Sequence, residues 1–188
     1  MSPIVVRRLG ARAARELSTT LVGIHREVYA ALPFGADPYF TPACFAQRLA
    51  IAIWQPRFEL IQAEVDGEIA GYLYGWALPR HTRWWSPLTA SLPPDQTEET
   101  GERSVFIQEI MVRQAFRRRG IARLLHDGFL AERTEQRALL CVLPDNEPAR
   151  LAYLNWGWHT LATTAFGAGE PVFACMTKQL TAPARVGS

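Results

Sequence analysis

The sequence predicts a mixed α+β fold, with a central, mostly antiparallel sheet and helices on both of its faces. Strand-like runs rich in β-branched and aromatic residues alternate with amphipathic helical stretches along the 188 residues. Asp66-Gly67 joins two of these runs, and this dipeptide is a strong signal for a tight antiparallel hairpin. Further along, a strand, a helix and another strand follow one another, which is typical of a parallel β-α-β unit.

The elements are predicted in the order β-α-α-β-β-β-α-β-α-β-β. Apolar residues at helical spacing predict one helix over residues 11–31, and Thr41 followed by Pro42 predicts the start of the next helix. The remaining ranges are strands at 4–9, 58–65, 68–78, 104–113 and 137–143, a helix after Gly120, a helix from Pro148 to about Gly157, and two strand-like runs between Trp158 and Leu180.

Residues 1–188 are predicted to form a single domain, because neither a repeat nor a linker divides the chain. Residues 79–103 lack any periodicity and hold four prolines and a Trp84-Trp85 pair, so they are predicted to form a long loop of the kind that is functional or disordered. Four acids lie between Asp95 and Glu102. They are suited either to attract a cationic amine or simply to be solvated.

The charge balance narrows the possible partners. Lys and Arg number 20 against 18 Asp and Glu, for a net charge of +2, which argues against nucleic acid and membrane surfaces as partners. Only Lys178 is a lysine. The three cysteines lack disulfide or zinc spacing, so no metal is expected, and without a signal-peptide pattern or an apolar run of membrane-spanning length the protein is predicted to be soluble and cytoplasmic.

The most informative stretch runs from Glu109 to Leu125. A strand ends there, a turn containing Gly120 follows, and a helix begins, so free backbone N–H groups and the positive end of the helix dipole favour an anion. Gly120 and Ala122 leave room for a phosphate to approach the backbone. Four arginines add positive charge, namely Arg117, Arg118, Arg119 and Arg123. The stretch predicts a phosphate or pyrophosphate site, although a solvated basic helix start and a nucleic-acid patch also fit the composition.

Neither the nucleotide P-loop pattern nor the three glycines of a dinucleotide fingerprint is present. Instead, Arg117-x-x-Gly120-x-Ala122, after a strand ending Ile110-x-Val112, resembles the acyl-CoA-binding motif of the GNAT N-acyltransferase superfamily. A second block is similar to the family's later signature, from Asn146 through Tyr153 to Trp156-Gly157-Trp158, with Trp158 in the usual Phe position. The resemblance covers the element order over residues 4–178, and its motif-bearing core is 104–158.

The resemblance implies acetyl-CoA as the acyl donor. The backbone of Ile110, Met111 and Val112 would pair with the pantetheine arm, and Asn146 would hydrogen-bond the same arm, although Asn146 is equally suited to cap the helix that follows. The residues implied to hold the pyrophosphate, mostly through backbone N–H groups, are Arg117, Arg118, Arg119, Gly120, Ile121, Ala122 and Arg123.

The resemblance also implies the catalytic groups. Tyr153 would act as the general acid toward the departing thiolate, because a phenol of ordinary pKa is protonated at neutral pH, unless it is simply a core aromatic residue. Glu109 lies among apolar residues of its strand, where burial should raise its pKa and suit it to act as the base. His81 is the reserve candidate. Cys141 lies in an apolar strand, which argues against an acyl-enzyme and for direct attack by the amine.

The acceptor is implied to be a primary amine of a small molecule or of a protein. Five aromatic residues either wall its pocket or pack under a helix, namely Tyr72, Tyr74, Trp76, Trp84 and Trp85. The alternative function is a catalytically inactive acyl-CoA-binding sensor or interaction domain of the same fold. A homodimeric assembly is expected only by analogy with the family.

Overall fold

The computed structural model of the protein describes residues 2–180, and the strands follow the predicted order. The strands are β1 (Ile4–Leu9), β2 (Glu59–Val65), β3 (Glu68–Ala77), β4 (Ser104–Val112), β5 (Arg137–Val142), β6 (His159–Thr164) and β7 (Phe173–Gln179). The α-helices are α1 (Ala11–Glu16), α2 (Ser18–Ala30), α3 (Pro42–Ala52), α4 (Pro94–Thr97), α5 (Ile121–Leu130) and α6 (Glu147–Asn155). Single 3-10 turns span Pro38–Phe40, Ser86–Leu88 and Gln114–Phe116.

The seven strands form a sheet in the order β1-β2-β3-β4-β5-β7-β6. The pairs β1–β2, β2–β3, β5–β7 and β6–β7 are antiparallel, whereas β4 and β5 are parallel. The parallel pair is the one joined through helix α5, as a β-α-β connection requires. The predicted α+β class with a mostly antiparallel sheet is confirmed.

The chain separates into two compact units. The first comprises the described residues of Met1–Trp76 together with Gln108–Glu132, and the second comprises those of Ala77–Ile107 together with Arg133–Ser188. Strand β4 therefore contributes its first four residues to the second unit and its last five to the first. A single domain over residues 1–188 stays a prediction.

In the first unit, Asp66 and Gly67 form the predicted hairpin. Their φ angles are 53° and 81°, the left-handed values that a tight two-residue hairpin turn requires, and Val65 pairs with Glu68 across it. The core of this unit lies where α2 and α3 pack over the strands. Its fully or almost fully buried members include Leu21, Phe45, Leu49, Leu60, Tyr72, Tyr74 and Met111.

The predicted single helix over residues 11–31 is wrong in one respect, because the structure has two helices there. Leu17 ends α1 and precedes α2 with φ −86° and ψ −1°, a ψ well away from the value of about −42° in a regular α-helix. The hydrogen bonds from Leu17 N to Ala13 O and from Leu21 N to Leu17 O nevertheless carry the chain across the break. The buried residues keep the same helical spacing on both sides of Leu17. The hydrophobic period alone could therefore not reveal the break.

Gly71 of β3 lies directly against the backbone of β4. A Cβ atom at Gly71 would stand 2.5 Å from the carbonyl oxygen of Met111, far inside van der Waals contact. The two strands can therefore adopt this close approach only because residue 71 has no side chain.

In the second unit, the long loop is attached to the sheet by one buried acid. The Glu99 carboxylate accepts hydrogen bonds from the Ser104 hydroxyl at 2.6 Å and from the Trp85 indole N–H at 3.0 Å. It also accepts one from the Arg137 guanidinium on β5 at 3.0 Å. The acids between Asp95 and Glu102 are therefore not a uniform solvated or amine-attracting group, since Glu99 is buried and structural whereas its acidic neighbours are exposed.

None of the helices in residues 2–180 combines the length and the apolar character needed to cross a membrane.

Candidate active site

The backbone at the start of α5 has the conformation of an anion-binding turn. Gly120 precedes the helix with φ 77°, and Arg118 also has a positive φ of 61°. Such changes in the sign of φ turn successive N–H groups toward one side, as in the backbone concavities that bind anions. Gly120 has no side chain to cap the helix start, and a Cβ atom at Gly120 would meet nothing within 4 Å. The N-terminal N–H groups of α5 are thus open to a phosphate.

The arginines near this turn differ in availability. Arg113 forms ion pairs with Glu27, at 2.8 Å, and with Glu68. Arg123 forms one with Asp127 in the next turn of α5. Arg117 and Arg118 are exposed, and the guanidinium of Arg119, which is half-buried, lies 5.9 Å from the centre of the Phe116 ring. The positive charge left for an anion therefore comes from the three consecutive arginines at 117–119.

The last residues of β4 present alternate backbone groups to opposite edges. Arg113 N donates to Ala70 O of β3 at 2.9 Å, and the carbonyl oxygen of Met111 lies against Gly71. The backbone groups of Ile110 and Val112 therefore point to the other edge of β4. The ladder between β4 and β5 ends at Ile107 and Leu140, so the residues after 107 take no part in it.

This alternation limits which backbone groups of β4 could pair with the pantetheine arm. Of the three residues suggested by the resemblance, Ile110 and Val112 direct their backbone groups away from β3, whereas Met111 directs its carbonyl to β3. The Arg117 side chain already donates to the Val112 carbonyl at 3.3 Å, so that carbonyl has a partner within the protein.

Glu109 is the chemically most unusual residue on β4. Its side chain is only 9% exposed. Burial raises the pKa of Glu109 to about 7, and the Arg48 guanidinium opposes this rise only in part. The Glu109 Oε1 atom lies 3.9 Å from Arg48 Nη2, and the buried phenols of Tyr72 and Tyr74 interact electrostatically with the carboxylate. The raised pKa expected from the apolar character of the strand is confirmed.

Arg48 was not among the residues singled out from the sequence. It lies on α3, 61 positions before Glu109, and nothing in its local sequence separates it from the other surface arginines. Its distance to Glu109 depends on how α3 packs on the sheet, which hydrophobic periodicity does not specify.

Tyr153 and Asn146 lie in the second unit. Tyr153 is on α6 and half-buried, and its ring lies 5.7 Å from that of Trp156 and 6.2 Å from that of Trp158. Asn146 precedes α6 but its side chain makes no capping hydrogen bond, so the helix-cap interpretation is wrong. Only its carbonyl supports the helix, by accepting from Arg150 N at 3.0 Å. The half-buried Asn146 amide therefore has no capping role.

The aromatic residues proposed as pocket walls are mostly structural. Tyr72 and Tyr74 are fully buried in the core of the first unit, and the Tyr72 hydroxyl donates to Leu21 O at 3.3 Å. In the second unit, Trp85 is buried and bound to Glu99, and Trp84 packs against Phe106 and Phe166. These contacts support the interpretation that the aromatic residues pack in the interior, rather than the interpretation that they wall a pocket.

The histidines and cysteines considered as alternative catalytic groups lie apart from Glu109 or are paired with other side chains. His81 is exposed in the loop, and His126 is buried with Nδ1 2.7 Å from an Asp127 oxygen. The sulfur of Cys141 lies 3.5 Å from that of Cys175, and burial raises the pKa of the Cys141 thiol well above its usual range. That rise makes Cys141 a poor nucleophile at neutral pH. Within residues 2–180, no group of three His, Cys, Asp or Glu side chains could hold a metal ion.

Comparisons with known proteins agree with the fold. Residues 26–158 match the model of the Acetyltransferase (GNAT) family. An acetyltransferase from Thermus thermophilus superposes with a TM-score of 0.65 at 14% identity, covering 96% of this chain and 100% of that one. NAA60 of Arabidopsis thaliana, in complex with a bisubstrate analogue, gives 0.64 at 16% identity over 96% and 100% of the two chains.

A third structure is the PaiA N-acetyltransferase of Thermoplasma acidophilum in complex with coenzyme A. It gives a TM-score of 0.60 at 12% identity and covers 94% of this chain and 99% of the other. At such identities, the likeness shows the fold. A search of curated proteins found no match.

The α+β fold and the match to the acetyltransferase family model together define the class of protein. The family match covers most of the chain, and the protein belongs to the GNAT acetyltransferase family.

Proposed function

We propose that the protein transfers the acetyl group of acetyl-CoA directly to a primary amine of a small molecule or of a protein. The observation that carries the proposal is Glu109, a buried carboxylate with a pKa of about 7 on the strand that leads into the anion-binding turn. A carboxylate with a pKa near the working pH is well suited to accept the proton of an attacking amine. Such a base serves catalysis, whereas a binding domain has no need of it.

The residues at the start of α5 fit the pyrophosphate of coenzyme A. Gly120 leaves the helix N-terminus open, and the exposed Arg117 and Arg118 supply charge without being neutralised by an acid among the described residues. On β4, the outward backbone groups of Ile110 and Val112 would hydrogen-bond the amides of the pantetheine arm. Acetyl-CoA supplies the activated thioester.

Two side chains would move protons in the transfer. Glu109 would take a proton from the ammonium form of the acceptor, directly or through a water molecule, which frees the nitrogen lone pair for attack on the thioester carbonyl. Tyr153 would donate its hydroxyl proton or a hydrogen bond to the departing thiolate sulfur, as the family resemblance implies. The Val112 N–H would polarise the thioester carbonyl. Because the Cys141 thiol is poorly reactive, we propose that no acyl-enzyme forms.

The test of this proposal measures release of free coenzyme A from acetyl-CoA with a panel of small primary amines and peptides. We expect turnover with at least one amine, and a loss of about 100-fold in kcat for Tyr153→Phe. An exposed acid of the second unit, changed in Glu102→Gln, provides the control and should leave turnover unchanged. Tight binding of coenzyme A without turnover on any amine would favour the inactive acyl-CoA-binding alternative.

A binding measurement tests the turn separately. Gly120→Ala adds a methyl group at the open helix start, and we expect the dissociation constant of coenzyme A to rise about tenfold. Gly169→Ala is the matched control, because Gly169 has nearly the same φ of 78° and equally open surroundings but lies in the second unit between β6 and β7. Both variants carry the same backbone strain, so equal affinities would place the pyrophosphate elsewhere. The homodimeric assembly and the cytoplasmic location stay predictions.

A further inference from the structure

Arg48 of the first unit lies between the segment that joins α2 to α3 and the carboxylate on β4. On one side, its Nη1 donates to the Tyr39 carbonyl oxygen at 2.8 Å, and its guanidinium carbon lies 4.2 Å from the centre of the Tyr39 ring. On the other side, its Nη2 lies 3.9 Å from Oε1 of Glu109. The hydrogen bond and the ring contact with Tyr39 thus hold the guanidinium where Nη2 faces Glu109.

Two of the three guanidinium nitrogen atoms of Arg48 have no hydrogen-bond partner among the described residues. Its Nε and Nη2 are shielded from solvent and make no hydrogen bond to any of the described residues. A guanidinium shielded from water is costly unless an anion compensates it, and Glu109 is the acid with which Arg48 forms an ion pair within the described residues. The charge of Arg48 is therefore compensated by Glu109.

The other buried titratable groups that interact with Glu109 or with Arg48 carry no charge at neutral pH. On β3, burial raises the pKa of Tyr72 and of Tyr74 well above the ordinary value, so both phenols stay protonated. On α2, His25 is stacked between Tyr29 at 4.3 Å and Phe45 at 4.2 Å, and burial lowers its pKa to about 4. Arg48 is consequently the charged group of α2, α3 and β3 that acts on Glu109.

We propose that Arg48 is a positioning residue whose charge keeps the Glu109 carboxylate ionised, and that Tyr39 holds Arg48 in place for this task. The proposal rests on the proposed function, in which Glu109 is the base. Desolvation favours the protonated form of a buried carboxyl, and a nearby guanidinium opposes it, so the distance between Arg48 and Glu109 decides how much base is present. The segment that carries Tyr39 thereby controls the fraction of Glu109 that is ionised and able to accept a proton.

The direct test is a titration of Glu109 by NMR of its labelled side-chain carboxyl carbon in the native protein and in Arg48→Met. We expect the apparent pKa of Glu109 to rise by about one pH unit or more in Arg48→Met. Arg48→Lys should restore part of the effect, because it keeps the charge but loses the planar contact with Tyr39. Arg26→Met, which removes an exposed arginine of α2, is the control and should leave the titration unchanged.

Tyr39→Leu gives a second, milder perturbation. It removes the ring under the guanidinium but keeps the backbone carbonyl that accepts from Nη1, so we expect a smaller rise in the same direction. This variant keeps the proposal testable if Arg48→Met does not fold. A Glu109 titration that is unchanged in Arg48→Met, or in Tyr39→Leu where Arg48→Met does not fold, would overturn the proposal.

Activity then separates this proposal from the function on which it rests. The acid limb of kcat/KM should move to higher pH in Arg48→Met, with a loss of about tenfold at pH 7 that recovers at pH 9. A purely structural role would lower activity equally at every pH and would overturn the proposal. Adding Arg48→Met to Glu109→Gln should cause no further loss. If Glu109→Gln alone keeps full activity, the proposed base is wrong, whereas the NMR titration still decides whether Arg48 acts on Glu109.

Discussion

Glu109→Gln should change how the stability of the protein depends on pH. The pKa of Glu109 rises on folding from 4.5 to about 7 because burial disfavours its charged form. Between these values the folded chain holds a proton that the unfolded chain has lost, so stability falls as the pH rises through this window and levels off above it. The rise in pKa corresponds to about 3 kcal/mol of unfolding free energy. Glutamine cannot ionise and should abolish this component.

The assay is urea unfolding of the native protein and of Glu109→Gln at several pH values between 5 and 8. We expect the difference in unfolding free energy between the two proteins to change by about 2.5 kcal/mol across this range, in favour of the variant at high pH. The comparison cancels other groups that titrate in the same range, among them His25, whose pKa is lowered to about 4. Parallel stability curves would refute the claim that Glu109 is buried in the folded state with a raised pKa.

Two further substitutions test the packing around the site. Gly71→Ala would place a methyl group 2.5 Å from a backbone oxygen of β4 and should destabilise the protein by about 2 kcal/mol, whereas Gly128→Ala, in helix α5 with nothing within 4 Å, should be neutral or stabilising in the same thermal unfolding assay. Glu99→Gln removes the buried counter-charge of Arg137 and should cost about 3 kcal/mol, whereas the exposed Glu102→Gln should cost almost nothing. If the two glycine variants destabilised the protein equally, or if the two glutamate variants did, the contacts described for Gly71 or Glu99 would be contradicted.

The parts of the fold that could be predicted from the sequence depend on local signals. Asp66-Gly67 determines a hairpin because its left-handed φ angles are a property of those two residues. Thr41 likewise caps α3 through its hydroxyl, which accepts from Cys44 N at 3.3 Å. The break at Leu17 carries no glycine or proline, so no local signal in the sequence marks it.

The residues of the candidate site likewise divide into those with a local sequence signal and those without one. The turn at Gly120 has a sequence signal, since a left-handed backbone before a helix favours glycine. The apolar alternation of β4 likewise indicated that Glu109 would be buried. By contrast, Arg48 beside Glu109 and Arg137 beside Glu99 are contacts between residues distant in the sequence, and only the packing of the elements reveals them. The same limit applies to Tyr72 and Tyr74, whose alternation fitted a pocket wall and a buried core equally well.

The pH profile of kcat/KM for the native protein and for Glu109→Gln, measured with one amine acceptor, tests the central claim most directly. We predict an acid limb with a midpoint near the Glu109 pKa of about 7 in the native protein. In Glu109→Gln, we predict a loss of about 100-fold at pH 8 and the disappearance of that limb, which leaves only the titration of the amine itself. A variant that keeps the native rate and the native acid limb would contradict the assignment of Glu109 as the base.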